Sequence, residues 1–378
     1  MVTQQIPVIV LAGFLGSGKT TLLNHLLRHS GGSRIGAIVN DFGSIEIDAM
    51  TVAGQVDSML SLGNGCLCCA VDTTDMDEML ERLTRPSARI DVIVIEASGL
   101  AEPEEMIRLI LSSENRRIVY GGLVEVVDAA EFTATRERHP EVDRHLRVAD
   151  LVVLNKADRV GEDGRSAILE LLRTLSPGRP VVHASYGRVD PELFFDRRER
   201  GDDGAGARQL SFEDLYAEIL AAEDGGHDCA AHGSGCAGGH GEDDGCGGPG
   251  RHLHAAYESV SFTCGDPLDP RRFMEFLDRR PEGLYRIKGF VHFGVDGHRQ
   301  KFAVHTVGDF LRFYPSPWER GEERTNQLVM IGTGIDAAAL QDRLTTCVGT
   351  GQEQAGPESM WGVLRYTQDQ TAPQRPTS

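Results

Sequence analysis

From the N-terminus to about residue 190 the chain alternates short, nearly all-apolar runs with stretches in which apolar residues recur every three or four positions. The runs Val8–Leu11, Ile35–Val39, Val92–Ile95, Leu123–Val127, Leu151–Leu154 and Pro180–His183 have the length and composition of strands buried on both faces of a parallel sheet. The stretches Lys19–Arg28, Met76–Leu83, Glu104–Leu111 and Ser166–Leu175 predict the crossover helices such a sheet needs. A second pattern begins later: a strand over Tyr257–Thr263, a helix from Pro270, strands over Tyr285–Phe293, Lys301–Thr306 and Leu328–Ile331, and a helix over Ala337–Leu344. That is a smaller α+β unit.

The composition breaks between the two patterns. Residues Glu223 to His254 hold eleven glycines, five histidines, three cysteines and six carboxylates, and almost nothing that could build a core. We therefore expect an α/β domain over 1–222, a His/Cys/Gly-rich flexible linker over 223–254, an α+β domain over 255–348 and a disordered tail over 349–378. No internal repeat is found.

Charge and cysteine usage narrow the function classes. With 38 basic and 57 acidic side chains, the net charge of −19 argues against nucleic acid and against anionic membranes as partners. No apolar run approaches the ~20 residues of a membrane span, and the N-terminus has no basic segment of a signal peptide, so a cytoplasmic protein is expected. Eight cysteines are too few for a disulfide scaffold, and Cys66, Cys68 and Cys69 crowd together as metal-binding or catalytic thiols do. Of only four lysines, Lys19 and Lys156 fall in motifs, leaving Lys288 and Lys301.

The segment Gly13-Phe-Leu-Gly16-Ser17-Gly18-Lys19-Thr20-Thr21 follows a predicted strand and opens a predicted helix, the setting of a P-loop. Glycines let backbone N–H groups curl around phosphates, Lys19 reaches the β- and γ-phosphates, and the Thr20 hydroxyl ligates Mg²⁺. Asn155-Lys156-Ala-Asp158 follows the run Leu151–Leu154, where a strand end carries a ligand. An Asp carboxylate there accepts from N1–H and the 2-amino group of guanine, a donor pair adenine lacks, and so selects GTP. Lys156 lays its stem over the base, and Ser185 after the next strand completes the pocket. Glu96-Ala-Ser-Gly99 closes the strand Val92–Ile95: its carboxylate holds Mg²⁺ through water and the Gly99 N–H senses the γ-phosphate. Asn40-Asp41-Phe-Gly43 is a candidate switch that brings Asp41 to the metal region.

Gly65-Cys66-Leu67-Cys68-Cys69 lies between these two switch candidates. Three thiolates from one loop supply soft ligands for Zn²⁺, or for Co²⁺ or Cu⁺, while leaving a coordination position open, which suits transfer better than storage. A redox-active thiol pair and inert buried cysteines are the other readings. The linker residues His227, Cys229, His232, Cys236 and His240, with Cys246, His252 and His254, lack the regular spacing of a zinc finger and suggest a loose metal-concentrating sponge. His25 and His29 stand four apart on a helix whose neighbours Asn24 and Arg28 mark a plain polar face; His292, Cys264 and Cys347 are expected to be structural.

In order along the chain, GFLGSGKTTLLNHLL, VNDFG, NGCLCC, VIEASGLAEP and NKAD resemble the CobW family of P-loop GTPases. The C-terminal stretches FTCGDPLDPRRFMEFLDRRPEGLYRIKGFV and RTNQLVMIG are similar to that family's second domain. Two positions depart from the pattern: Asp41 stands where Glu is usual, and the Glu96 motif reads E-A-S-G where a threonine-containing version is common. The resemblance implies a P-loop NTPase fold, with a parallel sheet domain followed by a smaller α+β domain of the CobW C-terminal type. It further implies hydrolysis of GTP with Mg²⁺, a metal-transfer role for Cys66, Cys68 and Cys69 with Zn²⁺ or Co²⁺ as cargo, and a client metalloprotein as partner. Cobalt handling in cobalamin synthesis, activation of one dedicated metalloenzyme, and a redox-sensing GTP switch are the competing expectations.

Overall fold

The computed structural model describes residues 5–40, 58–62, 73–99, 101–196, 257–349 and 356–367. Within them the first sheet has seven parallel strands: β1 (Ile6–Ala12), β2 (Ile35–Asn40), β3 (Ser58–Leu62), β4 (Val92–Glu96), β5 (Ile118–Asp128), β6 (Leu151–Asn155) and β7 (Val181–His183). Their order, β3-β2-β4-β1-β5-β6-β7, places β1 at the point where the chain winds first one way and later the other. In such sheets a crevice opens beyond the carboxyl end of the strands at that point, which is where ligands bind.

Apolar runs on both sheet faces require helices on both. One face is covered by α1 (Lys19–Arg28), which buries Leu22, Leu23 and Leu26 against Ile9, Leu11 and Val124. The other carries α2 (Thr73–Leu83), α3 (Pro103–Ser112), α4 (Phe132–Arg138), α5 (Val142–Val148) and α6 (Glu162–Leu175), packed through Leu80, Met106, Phe132, Leu146 and Leu172.

The second sheet is antiparallel, ordered β11-β10-β9-β12-β8, from β8 (Glu258–Cys264), β9 (Leu284–Val291), β10 (Lys301–Val307), β11 (Phe310–Ser316) and β12 (Asn326–Gly332). A core built on Phe273, Phe302, Phe313 and Met330 joins it to α7 (Pro270–Asp278), α8 (Ala337–Thr346) and α9 (Trp361–Leu364). Helix α7 starts sharply because Pro270 occupies its first turn and Asp269 accepts from Arg271 N and Arg272 N. Tyr285, Val307 and Ile331 of the second sheet join the core of the first. His305 Nε2 donates to the Tyr120 carbonyl at 2.9 Å, and Arg179 pairs with Asp309 at 2.6 Å. Burial pushes His305 down to about 3, so this contact is made by a neutral imidazole.

The periodicity captures the strands and main helices, and the structure adds what it missed. Helices α4 and α5 have seven residues each and bury little beyond Phe132, Val142 and Leu146, too few to register as a stripe. Strands β3 and β11 also lie outside the expected set. Part of the expected disordered tail is ordered: Pro357–Leu364 is helical, with Met360 and Val363 fully buried in the second core. Flanking polar and glycine residues hid that anchor. Among the described residues, no helix is long and apolar enough to cross a membrane.

Candidate active site

Strand β1 ends in a loop that wraps the first turn of α1. A Cβ on Gly13 (φ 141°) would lie 2.3 Å from the Val126 carbonyl oxygen, so only glycine lets the loop settle on β5. A Cβ on Gly18 (φ 103°) would lie 2.2 Å from Asn155 Nδ2, so loop and β6 are in direct contact. Among the described residues no side chain caps α1, which leaves its first-turn N–H groups to an anion, as phosphate-binding helices require. Lys19, 7 % exposed, donates to the carbonyls of Gly13 at 2.8 Å and Phe14 at 3.2 Å. Gly16 (φ 75°) and Leu15, 58 % exposed, face outward on the loop, while Ser17 is buried. Thr20 is half-buried and Thr21 exposed.

The sheet brings the expected partners to this loop. Thr20 Oγ1 donates to Glu96 Oε1 at 2.6 Å across 76 residues, joining the start of α1 to the end of β4. A hydroxyl and a carboxylate in contact beside a phosphate loop are hard oxygen donors of the kind Mg²⁺ takes, so the residues present fit that ion. Gly99 abuts the loop as well: a Cβ there would sit 2.8 Å from Leu15 N.

On the other side, Asn155 is 1 % exposed, and both ends of its amide engage the protein. Nδ2 donates to the Ser17 carbonyl at 2.9 Å, and Oδ1 accepts from Gly187 N at 2.9 Å. Asn155 is thus a strut between the P-loop and the loop carrying Ser185. Lys156 (φ 56°) donates to the Gly16 carbonyl at 2.8 Å and to Asp128 Oδ2 at 2.6 Å, which fixes its stem beside the loop. Asp158 is exposed and Ser185 half-buried, both open to a ligand.

Asp41, Cys66, Cys68, Cys69 and the linker residues His227, Cys229, His232, Cys236 and His240 lie outside the described residues. Among the described residues, no group of three or more His, Cys, Asp or Glu is arranged to hold a metal ion. His25 Nε2 donates to the Val189 carbonyl at 2.9 Å and His29 Nδ1 to the His25 carbonyl at 2.9 Å, a structural use of the pair. Cys347 is buried and Cys264 half-buried.

Two acids here escaped the sequence reading. Asp128 ends β5 and anchors Lys156. Glu125 is 2 % exposed, and burial pushes its carboxyl up to about 8 against the pull of the Lys19 ammonium. The signal was a lone acid inside the apolar run Leu123–Val127, visible in the sequence but absorbed by its neighbours. Glu125 lines a cavity of about 350 Å³ beside the P-loop, together with Phe14, Leu15, Thr135, Arg138 and Lys156.

Residues 7–183 match the nucleotide-binding domain described as CobW/HypB/UreG, and residues 257–348 match the cobalamin synthesis protein cobW C-terminal domain. The chain is 29 % identical over 381 residues to the zinc chaperone CobW of a Sinorhizobium species, covering 91 % of this chain and 98 % of that one. It is 29 % identical over 194 residues to zinc-regulated GTPase metalloprotein activator 1 of Schizosaccharomyces pombe, covering 49 % of this chain and 47 % of that protein. Among solved structures, the Zn(II)-bound YjiA GTPase of Escherichia coli aligns over 92 % of this chain and 100 % of that one, at 20 % identity and a TM-score of 0.41.

Proposed function

The chain belongs to the CobW family of P-loop GTPases, and from that premise we propose that it carries a transition metal, zinc first, on Cys66, Cys68 and Cys69 and releases it to a client metalloprotein under the control of GTP. The observation that carries this reading is a shared sheet edge. Strand β3 is parallel to β1 and β4, so its last residue, Leu62, lies at the same edge as Ala12 and Glu96. Three strand spacings separate β3 from β1, about 14 Å in all. Cys66 to Cys69 follow Leu62 by four to seven residues, enough chain to span about 13–25 Å when extended. That length of chain is enough to bring the thiols to the triphosphate.

In the nucleotide site, backbone N–H groups of Gly16 to Thr20 and the start of α1 take the β-phosphate, and Lys19 exchanges its loop carbonyls for phosphate oxygens. Thr20 and Glu96, with Asp41, would hold Mg²⁺, which would neutralise charge on the phosphates. Asp158 reads the guanine edge and Lys156 covers the base. Gly99, in contact with Leu15, transmits the presence of the γ-phosphate into the segment after β4. Loss of that phosphate loosens the segments flanking the thiols, and the metal passes on. Relatives named as a zinc chaperone and as a GTPase metalloprotein activator support the cargo and the client class.

Gating means that metal and nucleotide share one coupling free energy, so each must tighten the other by the same factor. Zn²⁺ affinity, measured by titration calorimetry with GDP and then with a non-hydrolysable GTP analogue, should rise at least about fivefold with the analogue, the lower end of ordinary coupling. The triple Cys66→Ser, Cys68→Ser, Cys69→Ser variant should lose the difference. Equal Zn²⁺ affinities in the two nucleotide states would end the gating proposal.

A further inference from the structure

We propose that Glu125 is a positioning residue of the phosphate site that must be protonated for nucleotide to bind well, so that nucleotide binding takes up a proton. The geometry is specific. Glu125 stands on β5, in register with Ala12 of β1, the last residue before the P-loop, and with Val152 of β6. The next residue, Val126, supplies the carbonyl on which Gly13 rests. Although Glu125 is almost wholly buried, its Oε2 has no hydrogen-bond partner among the described residues. Its side chain lines the cavity formed with the P-loop residues Phe14 to Ser17.

The charged groups around that cavity decide what a proton does there. From the P-loop side comes Lys19, whose charge is felt at Glu125. On β5 itself Asp128 is occupied by Lys156 of the segment after β6, at 2.6 Å. Glu131, just before α4, and Arg138 at its end stand at the cavity wall, where α5 contributes Val142. An ionised Glu125 therefore has Lys19 as its natural counter-ion. It would hold the ammonium down toward β5 and place a negative charge beneath the phosphates. A protonated Glu125 does neither, and Lys19 is left for the nucleotide. Burial already pushes this carboxyl up to about 8, and an anion bound above it can only raise it further. The sign follows: above pH 8 the free protein has lost the proton, and binding must take it back.

The test uses the full chain and GDP as the probe. GDP affinity is measured from pH 7 to pH 9 for the wild type and for Glu125→Gln, which keeps the shape and stays neutral. Across that window linkage gives the wild type a decline about tenfold larger than the variant's. Calorimetry at pH 8.5 in two buffers of different ionisation enthalpy should show roughly 0.8 proton taken up per GDP beyond that of the variant. A merely structural Glu125 predicts a variant that binds worse by the same factor at every pH. That result, or equal proton uptake in the two proteins, overturns the proposal. If the glutamine variant fails to fold, Glu125→Thr carries the same comparison.

Discussion

Asn155 offers a sharp test of how the site is built, because its sequence motif and its geometry suggest different jobs. Replacing it with Ala removes the donor to the Ser17 carbonyl and the acceptor of Gly187 N, both at 2.9 Å and both buried. Each group left without a partner costs about 1–3 kcal/mol, so Asn155→Ala should destabilise the first domain by about 2–6 kcal/mol. At about 2–4 °C per kcal/mol for a domain of this size, the thermal midpoint should fall by about 4–24 °C. Asn155→Asp should fare no better: it keeps an acceptor for Gly187 N but sets an oxygen against the Ser17 carbonyl. Both variants let the P-loop drift from β6, and GDP and ADP should lose affinity together. Asp158→Ala is the contrasting variant. Its side chain is exposed, so the thermal midpoint should hold within about 1–2 °C, while the preference for GDP over ADP collapses. Differential scanning fluorimetry and fluorescent-nucleotide titration read both quantities. If Asn155→Ala kept its midpoint and lost only guanine preference, Asn155 would be reading the base and the strut argument would be wrong.

Two further outcomes follow from packing. Gly13→Ala places a methyl 2.3 Å from the Val126 carbonyl and 2.8 Å from Ser17 Oγ, so the loop must lift from β5; GDP affinity should drop by more than about tenfold, the equivalent of 1.4 kcal/mol, and an unchanged affinity would show that the loop yields without cost. Met360→Ala empties a fully buried position that the second core draws from beyond residue 349. It should lower urea stability by about 2–5 kcal/mol, and a loss under about 0.5 kcal/mol, the range of an ordinary surface substitution, would mean that Pro357–Leu364 only rests on the surface.

The sequence alone determined the α/β order, the P-loop and the guanine motif, because these rest on local signals: apolar runs bounded by turns, glycines at fixed spacing, a lysine where few others exist. The C-terminal strands β8, β9, β10 and β12 were legible for the same reason. What local signals cannot carry is which distant groups meet. That Thr20 touches Glu96, that Asn155 braces Ser17 rather than facing outward, and that Asp128 holds Lys156 depend on strand order in the sheet, a property of the whole chain. Helices α4 and α5 and the anchor at Pro357–Leu364 stayed hidden because each buries only a few side chains, below what a periodic pattern reveals. Glu125 is the clearest case. In the sequence it interrupts an apolar run; only folding removes it from water, leaves Oε2 without a partner among the described residues and sets it beside the P-loop and Lys19. Burial is decided by tertiary packing, and it is burial that turns an ordinary acid into one that keeps its proton.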